Sequence, residues 1–197
     1  PDPDIDGLTR TEATHEGVTR TVYRAGSGPA VLVLTEMPGI HPTVVDFAFR
    51  VVDAGFSVAL PQLLGAPGRD PMRSGARTMV ADTVSAITGA CVSREFSVLA
   101  AGRTSPIMRW LRPLGRDLHA ECGGPGIGVV GMCFTGGFAL GLIADAPVLA
   151  PVLSQPSLPF GLTAGHRADL GLSPDDQEAM VEACAVRDVT VLGLRFT

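Results

Sequence analysis

Five short, mostly apolar runs recur along the chain, at residues 30–35, 56–60, 126–131, 148–153 and 189–194. Such runs, lacking polar alternation, are expected of strands covered on both faces. Strands of that kind belong to parallel sheets with helices above and below. Residues 43–54 lie between the first two runs and have helical periodicity, with Thr43 as a cap and Gly55 as a stop. The result is a strand–helix–strand unit with a parallel pair. Residues 18–24 alternate and read as a half-exposed edge strand. A Gly-, Pro- and Arg-rich loop begins at residue 62, followed by helical stretches near 77–101 and 106–121. The segment 62–125 is therefore a crossover enlarged into a helical excursion. Helices are also expected at 138–144 and from Ser173-Pro174-Asp175-Asp176 to about 185; the latter opens with a Ser cap, Pro in the first turn and early acids. The pattern predicts one α/β domain over 1–197, built on a doubly wound, mostly parallel sheet.

Composition narrows the function. The 197 residues are 46% hydrophobic and carry a net charge of −5. All 15 basic residues are arginines, and they are scattered rather than gathered into the stripe that nucleic-acid binding requires. No uninterrupted apolar run is long enough to span a bilayer, so no membrane partner is expected. Pro1-Asp2-Pro3-Asp4 lacks the basic-then-apolar order of a signal peptide. Cys91, Cys122, Cys133 and Cys184 form no CxxC pair, which argues against a zinc ribbon or thioredoxin-type motif. A reduced, cytoplasmic setting is the default expectation.

The most informative segment is Gly131-Met132-Cys133-Phe134-Thr135-Gly136-Gly137, between an apolar strand and an apolar helix. A tight strand-to-helix turn lifts the residue at its tip above the sheet, and small neighbours are needed because strand and helix pack closely there. The helix start supplies positive potential and backbone N–H groups, which favour a thiolate and can bind a developing oxyanion. Thr135 stands where the second glycine of a G-x-nucleophile-x-G pattern belongs, with Gly136 one place later. A buried structural cysteine is the bland alternative, and the strand–turn–helix context favours a nucleophile. Cys91, Cys122 and Cys184 lack that context and are assigned to structure.

Thr35-Glu36-Met37-Pro38-Gly39 follows the first apolar run, at the strand end where α/β sheets place ligands. Taken with the Cys133 segment, Glu36-Met37-Pro38-Gly39 resembles the dienelactone hydrolases in order, spacing and intervening elements. The resemblance runs from about residue 18 to the end. It implies an α/β-hydrolase fold and a Cys-His-Asp triad without metal or organic cofactor. It also implies hydrolysis of a small-molecule ester or lactone through an acyl-enzyme. By the same resemblance Cys133 is the nucleophile, Glu36 helps generate the thiolate, and the backbone N–H groups of Met37 and Phe134 form the oxyanion hole.

In such a fold the acid and then the histidine follow the nucleophile along the chain. The acid's turn should begin near Arg195-Phe196-Thr197, so a fold truncated at its C-terminus is expected, with Asp and His beyond Thr197. His15 precedes the first strand expected, and His119 lies on a helix before the cysteine. His41 and His166 sit in loops that could approach the crevice, although a lone loop histidine is more often solvated than catalytic. Arg69, Arg94 and Arg103 lie in the excursion and could hold a substrate carboxylate, but solvated surface is the commoner fate. Ser154-Gln155-Pro156-Ser157 follows a strand end and could line the pocket, while neither serine is placed as a nucleophile. Two other classes stay open: a non-catalytic binding protein of this fold, and a redox-responsive thiol protein. The sequence does not give the oligomeric state.

Overall fold

The computed structural model describes residues 2–68, 96, 102–145, 147–157 and 169–195. Strands β1 (Thr9–His15), β2 (Val18–Ala25) and β3 (Ala30–Leu34) lead into helix α1 (Pro42–Asp53) and strand β4 (Ser57–Pro61). Helix α2 (Met108–Cys122) precedes strand β5 (Ile127–Met132), a 3-10 turn (Cys133–Thr135) and helix α3 (Phe138–Ile143). Strand β6 (Val148–Ser154), helix α4 (Pro174–Arg187) and strand β7 (Leu192–Leu194) follow.

One seven-stranded sheet results, in the order β1-β2-β4-β3-β5-β6-β7. β1 and β2 run antiparallel to each other, and β2 runs antiparallel to β4. From β4 to β7 every pairing is parallel. Side chains alternate across the sheet, so β3 feeds two cores. Leu32 and Leu34 pack with Trp110, Leu111 and Leu114 of α2 and Leu142 of α3 on one face. Val31 and Val33 pack with Val44, Val45 and Ala48 of α1 on the other. Helices thus cover both faces, as the apolar runs require.

Several local expectations are corrected. The strand over 18–24 is not an edge, because β1 pairs outside it along seven residues. β1 reads Thr-Arg-Thr-Glu-Ala-Thr-His, and its mostly exposed positions leave little apolar pattern to detect. Helix α1 is capped by His41 rather than Thr43, with Pro42 at its start. A proline suits that place because the missing N–H would have had no partner there. The run 189–194 is not a buried strand: β7 is three residues long and exposed throughout. The start of α4 follows the sequence signal, with the Ser173 hydroxyl accepting from the Asp176 N–H. The helix expected at 77–101 lies outside the described residues except at Phe96.

Candidate active site

Three strand ends meet at one edge of the sheet. Leu34 pairs with Gly131 across β3 and β5, and Met132 pairs with Ser154 across β5 and β6. Glu36 leaves β3, Cys133 leaves β5 and Gln155 to Ser157 leave β6 at that one edge; the side chains of Cys133 and Ser157 meet there, whereas that of Glu36 meets His41. The C-terminal ends of parallel strands are where α/β sheets present ligand-binding groups.

Cys133 is half-buried and has φ +48°, in the left-handed region that a side chain adopts only when its surroundings impose it. The 3-10 turn begins there, and Gly136 and Gly137 continue with right-handed helical dihedrals into α3. The bend is as tight as the sequence pattern requires. A Cβ on Gly131 would lie 2.7 Å from the Thr135 carbonyl oxygen, and one on Gly136 would lie 2.7 Å from Pro156 Cα. Gly136 therefore supplies the close approach expected of the second glycine.

Thr135 is fully buried and does something a glycine cannot. Its hydroxyl donates to the Leu34 carbonyl at 2.8 Å and accepts the Met132 N–H at 3.1 Å. The elbow is thereby fastened to β3, one residue before the segment that carries Glu36.

Glu36 is half-buried, and its Oε1 lies 3.3 Å from His41 Nε2. The His41 side chain is only 12% exposed. Its backbone carbonyl accepts from Val44 and Val45, so the first turn of α1 fixes its position. The Met37–Pro38 peptide that follows Glu36 is cis. The Cys133 thiol donates to Ser157 Oγ at 3.6 Å, and the Ser157 N–H donates to the Cys133 carbonyl at 2.9 Å.

The other candidates are placed elsewhere. His15 ends β1 and lies edge-on to Trp110, with ring centroids 5.6 Å apart. His119 lies on α2, and its Nδ1 is buried without a partner. Arg103 is exposed. Cys122 and Cys184 are half-buried against the core, as structural cysteines are. Arg69, Arg94, Cys91 and His166 lie outside the described residues. Among the described residues, no three His, Cys, Asp or Glu side chains converge as metal ligands, and no helix is long and apolar enough to cross a membrane.

Sequence reasoning missed the Thr135 bonds and two further contacts. The His41–Glu36 pair was foreshadowed only by their spacing of five residues. The Ser157–Cys133 contact joins residues 24 apart and had no local signal.

The family model of the dienelactone hydrolases matches residues 17–156, a span that contains Glu36, Cys133 and the β6 strand end. No curated protein matches the sequence. Among solved structures, the chain is similar to a Klebsiella pneumoniae protein assigned to the dienelactone hydrolases. That match has 16% identity and a TM-score of 0.53, and covers 98% of this chain and 86% of that one. It is also similar to a dienelactone hydrolase-like promiscuous phosphotriesterase from metagenomic libraries. Here identity is 19% and the TM-score 0.56, with 95% of this chain and 80% of that one covered. At these identities the structures establish the α/β-hydrolase fold alone.

Proposed function

The chain belongs to the dienelactone hydrolase family, and on that premise we propose that it carries the nucleophile of a cysteine-dependent hydrolase of carboxylic esters or lactones. Membership makes it a hydrolase of the α/β type that acts on small molecules. The observation that carries the finer reading is the left-handed Cys133 on its strand–turn–helix bend, at the edge where β3, β5 and β6 end.

In this reading the Cys133 sulfur attacks the ester carbonyl carbon, forming a C–S bond as the carbonyl electron pair moves onto oxygen. The backbone N–H groups of Met37 and Phe134 receive that oxyanion. Its collapse expels the alkoxide, which takes up a proton, and leaves a thioester on Cys133. Before attack Glu36, with His41 beside it, takes up the thiol proton to leave the thiolate, and that proton passes to the departing alkoxide. Water then cleaves the thioester. That second half needs a general base beside the thioester.

An aryl ester tests this. The protein should release p-nitrophenol from a p-nitrophenyl ester, with an initial burst of about one equivalent per molecule where the thioester forms faster than water cleaves it. Cys133→Ala should abolish the burst. A burst unchanged in Cys133→Ala would overturn the assignment of the nucleophile.

A further inference from the structure

The chain after β6 folds back over the elbow, and three separate features hold it there. The Gln155 N–H donates to the Leu194 carbonyl of β7 at 2.8 Å, with Gln155 itself turned into the left-handed region at φ +51°. Pro156 then sits against Gly136, where no side chain would fit. Finally the Ser157 N–H bonds the Cys133 carbonyl. These tethers leave the Ser157 hydroxyl 3.6 Å from the Cys133 sulfur.

We propose that Ser157 is a second catalytic group, whose hydroxyl accepts the thiol proton's hydrogen bond at rest and donates its own to the thiolate. The inference rests on Cys133 being the nucleophile and adds the partner that stabilises its charged form. A hydroxyl can do both because it is donor and acceptor and rotates freely. When the thiol loses its proton, to Glu36 during reaction or to buffer during titration, the sulfur gains a negative charge and the Ser157 O–H turns toward it. Hydrogen bonds to charged groups are stronger than neutral ones, so the hydroxyl favours the thiolate over the thiol. The tethers matter because, with the oxygen already in place, only the O–H rotation is left to fix when the charge appears.

The test is the pH profile of Cys133 alkylation by iodoacetamide, in which sulfur bonds to the methylene carbon and iodide leaves. Peptide mass spectrometry separates Cys133 from the other cysteines, and glutathione in the same buffers is the reference. Thr and Val have nearly the same shape, so Ser157→Thr and Ser157→Val differ in the hydroxyl alone. The wild type and Ser157→Thr should reach half their plateau at a lower pH than glutathione. In Ser157→Val and Ser157→Ala that midpoint should move upward. Alkylation at neutral pH should then fall on the order of threefold to tenfold, while the alkaline plateau stays unchanged. Far-UV circular dichroism matching the wild type shows that each variant is folded. Coincident profiles for Thr and Val, with the midpoint still below that of glutathione, would overturn the role of Ser157 and leave the nucleophile standing. A wild-type profile matching glutathione would overturn the activation of Cys133 itself.

Discussion

The Thr135 hydroxyl ties the ends of β3 and β5 together at the last rung of their ladder, where Leu34 pairs with Gly131. It donates to the Leu34 carbonyl and accepts the Met132 N–H, with the side chain wholly enclosed. A glycine here would relax the bend but break both bonds. Thr135→Val keeps the shape and loses the hydroxyl, so it should destabilise the fold by about 1–3 kcal/mol. Thr135→Gly, which restores the commoner pattern, should cost at least as much, because it adds backbone freedom to the unfolded chain. Urea unfolding midpoints measure both, and a Thr135→Gly variant as stable as the wild type would contradict this role. Of the candidate site, the sequence disclosed the parts that follow from local chemistry. Cys133 has Gly131, Thr135 and Gly136 within three residues, between a strand and a helix, and Glu36 follows an apolar run. Ser157 and the Thr135 bonds were illegible because each depends on how a distant strand end is folded back.

At the scale of elements, the start of α4 is tied to α2 and α3 by one polar cluster. The Arg112 guanidinium on α2 donates to the Gly141 carbonyl of α3 at 3.0 Å and to Asp176 Oδ1 of α4 at 2.7 Å. Thr104 donates to the same carboxylate, and Ser173 caps the helix beside it. Burial alone would raise the Asp176 carboxyl, but the Thr104 and Arg112 hydrogen bonds, the Arg112 charge and Ser173 outweigh it. The group is held below the usual aspartate range. A carboxylate depressed by folding contributes stability above its unfolded value, and that contribution is lost as pH falls through the folded value. Asp176→Asn should therefore be less stable than the wild type at pH 7. The gap should shrink as both proteins are taken below about pH 4, where the unfolded-state aspartate is protonated. Urea midpoints at a series of pH values read this, and a gap that does not narrow in acid would rule the linkage out. The Ser173-Pro174-Asp175-Asp176 signal announced the helix start, because capping is a matter of adjacent residues. Its anchoring by Arg112, 64 residues earlier, was not readable. The same limit hid β1, whose polar residues have no apolar face to reveal it.

Across the whole molecule the two faces of the sheet are unequally covered. Trp110, Leu111, Phe138 and Met180 from α2, α3 and α4 pack on one face, whereas α1 alone among the described helices supplies the opposite core. Beside α1 the described residues leave an apolar groove of about 600 Å³, lined by Phe47, Val51, Val130, Leu149 and Val152. Leu192 and Leu194 of β7 are also exposed, at 52% and 48%. This asymmetry explains why 148–153 and 189–194 read equally as buried strands: their apolar content is fixed by sequence, whereas their exposure depends on what lies over each face. Neighbouring β6 residues separate the two situations, since alternation sends Val152 to the groove and Leu153, 9% exposed, to the helix-covered core. Val152→Thr should cost under about 1 kcal/mol, whereas Leu153→Thr should cost about 3 kcal/mol or more, because it puts a hydroxyl and a void into the packed side. The native chain should also enhance the fluorescence of anilinonaphthalene sulfonate, an apolar-surface dye, and Val152→Thr should weaken that signal with the unfolding midpoint nearly unchanged. Equal costs at the two positions, or a native chain that leaves the dye dark, would mean that the α1 side of β5 and β6 is as well packed as the other.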